Sequence, residues 1–282
     1  MKMKFLITGS SSYVGKSTIN HLLKNKNFKV VGTSRTNPKI INDNFKWIKH
    51  DLSKKQLKIN KKIDYVVHIA GEAWMGKKTK DYVMSNVMTT LHLSEMTKTL
   101  KPKAVFYISS RDVYGDVKTN ILAENNPIIN PIIYGHTKYL AENLLIENCK
   151  TIILRCPSII GLGTHGWIAE LVKKLKRNKK IIFNNTKFNN FIHASEIPKI
   201  ILKFCKKSNF KTDHYLLGCS NKIMSKKIIE ILKKNLNSKS KVYSKKKKNF
   251  FYTISIKKLL KIYKPLTVEK SLEVYCNEIK KL

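Results

Sequence analysis

Thr8-Gly9-Ser10-Ser11-Ser12-Tyr13-Val14-Gly15-Lys16-Ser17 carries two readings at once. Gly15-Lys16-Ser17 resembles the end of a triphosphate-binding loop, whereas the outer frame, TGxxxxxG, is that of a dinucleotide fingerprint with one glycine replaced. A Walker A loop keeps about four residues between its glycines, GxxxxGK[ST]. Here Gly9 and Gly15 have five between them, and Ser10 stands where a further glycine is expected. The extra residue displaces the amides that would cradle phosphates, and no aspartate closes an apolar strand to hold magnesium. The dinucleotide frame has the better context. The apolar stretch Lys4–Thr8 predicts a strand and Lys16–Asn25 a helix, so amides at the helix start face a pyrophosphate. Gly9 makes the tight turn, Gly15 lets the helix pack closely on the strand, and Ser12 occupies the place of the middle glycine. Ser11, Ser12, Tyr13 and Val14 complete the expected cofactor-binding turn.

Working outward, short apolar runs at Lys29–Thr33, Phe45–Lys49, Tyr65–Ala70, Ala104–Ser109 and Thr151–Arg155 alternate with helical patterns at Asp81–Leu100 and Pro131–Asn148. Nearly continuous apolar strands separated by helices predict an α/β fold, a doubly wound parallel Rossmann sheet covered on both faces. Past Pro157 the regularity weakens; Gly161, Gly163 and Gly166 mark a loop before a basic helix near Ile168–Asn178. Residues 1–157 are therefore expected to form the dinucleotide-binding domain, recruiting later segments around 189–202, and residues 158–282 a smaller C-terminal substrate-binding lobe.

The chain's 282 residues suffice for one large core and a lobe. No apolar run approaches the roughly 20 residues of a membrane span, and the run after Met1 is too short for a signal peptide. Five scattered cysteines without a CxxC pair argue for reduced thiols in a cytoplasm, without a zinc site. The net charge of +38 suggests a polyanion partner, yet only four of the 56 basic residues are arginine: Arg35, Arg111, Arg155 and Arg177. Arginine is the residue that reads phosphate and guanine bidentately. Abundant Lys, Asn and Ile point instead to codon drift on a solvated surface, and the run Lys245–Lys248 reads as a solvated loop. Neither a specific nucleic acid nor a membrane is expected as a partner.

The second predicted strand ends Thr33-Ser34-Arg35, where such folds meet the adenine ribose. An acidic residue there would bind the 2′-hydroxyl of NAD; an arginine can accept the 2′-phosphate of NADP. Arg35 therefore favours NADP over NAD. Asp51-Leu52 follows the third strand, within reach of the adenine amino group.

Tyr134-Gly135-His136-Thr137-Lys138 is a YxxxK, which on a helix puts phenol and ammonium on one face. A free tyrosine titrates near pH ~10; a neighbouring lysine favours the phenolate and suits it to exchange a proton with a substrate hydroxyl or ketone. Ser109-Ser110-Arg111-Asp112-Val113-Tyr114-Gly115 ends the fifth strand, where a serine hydroxyl faces the ligand crevice.

These motifs resemble the extended short-chain dehydrogenases/reductases, the NAD(P)-dependent epimerase/dehydratase group acting mainly on nucleotide sugars. The likeness runs nearly the full length: Val67-His68-Ile69-Ala70-Gly71 is similar to HxA[AG], Tyr82–Thr90 to YxxNNVxGT, Leu154-Arg155-Cys156-Pro157 to LRxxNxxG, Asn189–His193 to RDFIHV and Tyr215–Gly218 to YNLG. The resemblance implies a catalytic set of Ser110, Tyr134 and Lys138. It implies cofactor contacts at Ile69, Ala70, Gly71, Asn86, Ser109 and Pro157 beside Tyr134 and Lys138, and substrate contacts at Ala73, Ser110, Arg111, Ser158 and Asn189. Asn189 replaces the arginine that often grips a substrate phosphate, with Lys173, Lys174 or Lys187 as substitutes. Arg111-Asp112 replaces the Asp-Glu of sugar 4,6-dehydratases, so elimination is disfavoured against redox at one carbon. The implied activity is hydride transfer at a sugar C4, as a 4-ketoreductase or 4-epimerase on a nucleotide sugar, in a homodimer formed through the two long helices. His68, His136 and His193 read as structural. The alternative of another class is a non-catalytic NADP-binding sensor or scaffold.

Overall fold

Alternation along the first strand sets the layers. In β1 (Met3–Thr8) Leu6 joins the core of one face while Phe5 and Ile7 point to the other, and all three are fully buried. β2 (Phe28–Ser34), β3 (Phe45–Lys49), β4 (Tyr65–His68), β5 (Ala104–Ser110), β6 (Thr151–Cys156) and β7 (Asp213–Leu216) complete a seven-stranded sheet in the order β7-β6-β5-β4-β1-β2-β3. The pairings from β3 through β2, β1 and β4 to β5 are parallel. This is the predicted doubly wound α/β fold, whose order reverses between β1 and β4, where such sheets receive ligands. Thr8 and His68, the last residues of those strands, are register partners there. The coordinates, a computed structural model, describe residues 3–73, 76–207, 211–245 and 251–281; after Lys245 the lysine run lies outside them.

Four helices matter to the site. α1 (Tyr13–Leu22) starts three residues before the predicted Lys16, because the Ser12 side chain caps it. The predicted single helix Asp81–Leu100 is instead α2 (Thr79–Tyr82), a π-helical stretch Val83–Met88, and α3 (Thr89–Leu100). π-helical turns widen a helix by one residue and gather at functional sites. α4 (Ile133–Ile146) carries the YxxxK. On one face of the sheet Leu93 and Met96 of α3 and Ala141 and Leu145 of α4 pack on Leu6, Val66, Val105 and Ile153. On the other, Phe5, Tyr65, Phe106 and Phe204 form a chain of ring contacts, with centroids 5.6, 5.9 and 6.2 Å apart. At about 1.5–3 kcal/mol per fully buried apolar side chain, these two layers fix the sheet's position.

The chain forms two compact units. The first holds Met1–Asp116, Pro127–Arg155 and Ile197–Tyr215; the second holds Val117–Asn126, Cys156–Glu196 and Leu216–Leu282. Within the first, the helix Glu196–Cys205 brings Phe204 against Phe106 and Tyr215. The second unit is built from short strand pairs, such as Ser158–Ile160 with Phe191–His193 and Ile181–Phe183 with Val242–Ser244. Its core joins Leu171 and Leu175 to Ile228, Leu232, Leu272 and Cys276 from three helices. No helix among the described residues is long and apolar enough to cross a membrane.

Candidate active site

The turn between β1 and α1 shows why its two glycines are glycine. Gly9 has φ +66°, and a Cβ there would lie 2.7 Å from the Ala70 nitrogen. A Cβ on Gly15 would lie 2.3 Å from the Gly9 carbonyl oxygen. Ser12, by contrast, has φ −67° and ψ 159°, which any L-residue adopts, and it is the N-cap of α1. Its Oγ accepts from the Gly15 amide at 3.0 Å and donates to the Gly9 carbonyl at 2.7 Å. The hydroxyl therefore closes the loop on itself, and its proton is engaged inside the turn. Lys16 lies within the helix, its amide bonded to the Ser12 carbonyl at 2.8 Å. Ser11, Tyr13 and Val14 are half-buried around the turn.

At the end of β2 the Ser34 hydroxyl donates to the Thr36 carbonyl, so it accepts from Ser10 Oγ at 2.8 Å and from Trp47 Nε1 at 3.1 Å. That node ties the β2 end to the glycine turn and leaves Arg35 exposed beyond it. Asp51 accepts from both the amide and the hydroxyl of Ser53, at 3.0 and 2.7 Å. The Ser53 hydroxyl holds the carboxyl below the usual carboxylate range against the opposing effect of burial, with the Arg35 charge adding to it. Leu52 is a core residue of the first unit, its side chain 5% exposed.

Beside β4, Ile69 and Ala70 both donate their amides to Thr8 Oγ1 at 3.1 Å. A Cβ on Gly71 would meet Asn86 Oδ1 at 2.6 Å. Asn86, buried in the π-helical stretch, accepts from the Glu72 amide at 2.8 Å and donates to Thr137 Oγ1 at 3.0 Å. Ala73 is exposed just past this loop.

Ser110 ends β5 and caps the short 3-10 turn Arg111–Tyr114, its Oγ accepting from the Asp112 amide at 3.1 Å and donating to Asp112 Oδ2 at 3.3 Å. Gly135 packs its helix turn directly on that cap: a Cβ there would be 2.2 Å from the Asp112 carbonyl oxygen. The close approach brings the start of α4, and Tyr134 with it, onto the Ser110 turn. Tyr134 is buried, its ring 5.8 Å from that of Tyr82. Lys138, one turn later, donates from Nζ to the Ile108 carbonyl at 2.8 Å and lies 4.7 Å from the Tyr107 ring centre. Arg111 is half-buried, with Nε 3.6 Å from Asp112 Oδ1.

Ser109 plays a part that sequence reasoning missed. Its hydroxyl donates to Glu142 Oε1 at 2.5 Å, and Arg155 grips the same carboxylate through Nε at 3.1 Å and a terminal nitrogen at 2.7 Å. The guanidinium also lies 4.7 Å from the Tyr114 ring centre. The pair is buried, with side chains 7% and 2% exposed, and it clamps α4 to β5 and β6 beneath the catalytic candidates. A signal existed: Arg155 is one of four arginines in a chain that otherwise uses lysine.

The remaining predicted residues belong to the second unit. Pro157 is buried, and Ser158 is half-buried with its Oγ close to where a Cβ on Gly166 would stand. Asn189 is 1% exposed and turned into the unit's interior. Its Nδ2 donates to the Ile254 carbonyl at 2.9 Å and, longer, to Cys219, while its Oδ1 accepts the Ile254 amide at 2.9 Å. Its amide thus docks a strand, the two-residue Thr253–Ile254, and offers no side-chain grip for a phosphate. Lys173, Lys174 and Lys187 are all exposed.

Residues 5–218 match the NAD dependent epimerase/dehydratase family. The chain belongs to that family. This epimerase/dehydratase chain is 26% identical to a putative UDP-glucose 4-epimerase of Methanocaldococcus jannaschii, with 88% of each chain covered. It is 25% identical to the CDP-abequose synthase of Salmonella muenchen, over 85% of this chain and 83% of that one. Its fold superposes on the UDP-glucuronic acid 4-epimerase of Bacillus cereus, a structure in complex with NAD, with a TM-score of 0.82, 24% identity and 99% of each chain covered.

Proposed function

We propose that this chain is an NAD(P)-dependent oxidoreductase or epimerase of a nucleotide sugar, acting at a carbinol or ketone carbon, C4 favoured. The observation that carries the reading is the conjunction at the end of β5: Lys138 is anchored to the Ile108 carbonyl while Gly135 seats Tyr134's turn on the cap formed by Ser110. A dinucleotide suits the first unit, because the turn drawn tight around Gly9 and Gly15 leads straight from the end of β1 into the N-terminus of α1, the end of a helix that favours a phosphate. The nicotinamide supplies a hydride donor or acceptor when bound. Tyr134 exchanges the proton of the substrate oxygen, Ser110 turns its proton from Asp112 Oδ2, which it meets at 3.3 Å, to that oxygen, and Lys138 orients the ribose and favours the phenolate. Arg35, exposed at the end of β2, favours NADP. The relatives named as UDP-sugar epimerases support a nucleotide sugar as substrate.

We assign the dinucleotide to the first unit and sugar recognition to the second, through Ser158 and its neighbours. Ile133, Leu140 and Ile146 of α4 are exposed, which supports pairing of two copies through that helix. The decisive experiment is a screen of nucleotide sugars with NADPH and NADH, wild type against Tyr134→Phe. Loss of at least a hundredfold in turnover is expected for the variant, in the range for a general acid–base group. Equal turnover would overturn the enzyme reading and favour a dinucleotide sensor.

A further inference from the structure

Thr8, His68 and Thr90 form a hydrogen-bond chain through the interior of the first unit that ends on the Asn86 backbone carbonyl, and the Asn86 side chain starts a second segment through Thr137, so that Asn86 joins the two. Thr8 Oγ1 lies 2.7 Å from His68 Nδ1, and His68 Nε2 lies 2.9 Å from Thr90 Oγ1. Thr90 Oγ1 donates to the Asn86 carbonyl at 2.5 Å, Asn86 Nδ2 donates to Thr137 Oγ1 at 3.0 Å, and Thr137 Oγ1 donates to the Tyr134 carbonyl at 2.9 Å.

The direction of every bond is settled by counting hydrogens. A hydroxyl has one proton and two lone pairs. Thr8 Oγ1 already accepts from the Ile69 and Ala70 amides, so its proton goes to His68 Nδ1. At the other end, Thr90 must give its proton to a carbonyl, so it accepts from His68 and Nε2 carries the hydrogen. Both ends independently assign the same neutral tautomer. The surroundings agree: the imidazole is fully buried, stacked 5.3 Å from the Tyr107 ring, which also receives the Lys138 ammonium. Burial first, and the Lys138 charge second, hold its pKa down to about 3.

We propose that His68 is a positioning residue: held as the Nε2–H tautomer, it ties the Gly9 turn and the Ile69–Ala70 amides to Asn86, whose side chain carries the connection on through Thr137 to the Tyr134 turn of α4. The proposal rests on the reading that the Gly9 turn holds a dinucleotide and Tyr134 exchanges the substrate proton. Under it, the cofactor-facing loops and the proton-transfer helix move together, because Thr8, His68 and Thr90 hold the Asn86 backbone in place while the Asn86 amide, fixed between the Glu72 amide and Thr137, holds the start of α4.

The test uses three readouts on the full chain. Nitrogen-15 NMR of labelled histidine is expected to show His68 as the Nε2–H form, without titration, from roughly pH 8 to pH 5; the Nδ1–H form, or a titration in that window, overturns the proposal. Hydrogen exchange of the peptide spanning Ile69–Gly71 is expected to speed up at least threefold in Thr137→Val, though Thr137 touches none of those amides. In a His68→Leu background the same change should add nothing; unchanged exchange in Thr137→Val overturns the relay. Folded His68→Leu is expected to bind NADPH at least tenfold more weakly. His68→Gln, which keeps one N–H donor and one acceptor, should recover to within threefold; wild-type binding by His68→Leu overturns the proposal. If the wild type binds neither NADPH nor NADH, the functional reading fails, while the first two readouts still decide the relay.

Discussion

Replacing Ser12 by alanine removes one hydroxyl and separates two accounts of the glycine turn. Its Oγ accepts the Gly15 amide at 3.0 Å and donates to the Gly9 carbonyl at 2.7 Å. Gly15 is buried, so the amide left behind has poor access to water. Loss of a serine N-cap costs about 1 kcal/mol, within a range of roughly 0.5–2. A cooperative unit of this size loses about 2–4 °C of Tm per kcal/mol, which makes the expected drop roughly 2–4 °C, and roughly 1–8 °C across the full range. Ser12→Gly should cost only a few tenths of a kcal/mol, since glycine is itself a tolerated cap. The stability order expected from urea and thermal melts is wild type, then Ser12→Gly, then Ser12→Ala.

Fluorescence titration with NADPH tests the other half. Because the Ser12 proton is engaged with the Gly9 carbonyl, the hydroxyl is not a donor to phosphate, and folded Ser12→Ala should bind NADPH within about twofold of wild type. A tenfold loss, about 1.4 kcal/mol, with the melt unchanged would mean that the hydroxyl points to the ligand. The capping argument would then be refuted.

Gly15→Ala forces a Cβ to within 2.3 Å of a backbone oxygen, and should destabilise by about 1–3 kcal/mol or more in urea melts; an unchanged midpoint would deny the close approach. Arg155→Met leaves Glu142 buried without its cation and is expected to cost about 3–5 kcal/mol, whereas the double variant with Glu142→Leu should regain most of it. Stability should also fall with acid. His68 has a folded pKa of about 3 against about 6.5 unfolded, so between those values the unfolded chain binds the extra proton. Its contribution is fully present above the unfolded value, declines as pH falls through that window and levels off below the folded value. At roughly 1.36 kcal/mol per unit the total is on the order of 4–5 kcal/mol, and His68→Gln should flatten that part of the urea-midpoint profile. Cys219, whose thiol burial pushes up to about 12, should resist Ellman's reagent at pH ~8 until the chain unfolds.

Sequence alone determined the kind of fold and marked the candidate site residues. Apolar runs such as those within Tyr65–Ala70 and Ala104–Ser109 specify strands buried on both faces, because consecutive residues such as Val66 and Val67, or Val105 and Phe106, point to opposite faces and are apolar on each. Glycines at 9 and 15, and a tyrosine and lysine four apart, are local patterns that survive without coordinates. What local pattern does not contain is the partner of each polar group. Ser12 reads as a flawed glycine until the Gly9 carbonyl and Gly15 amide are seen closing on it. Asn189 reads as a substrate contact until Ile254, 65 residues away, takes both ends of its amide. Ser109, Glu142 and Arg155 come from three elements, and only their packing creates a buried ion pair. A hydroxyl or amide has the same hydrogen-bonding capacity wherever it stands. Tertiary structure decides which group satisfies it, and therefore whether it holds the fold together or faces a ligand.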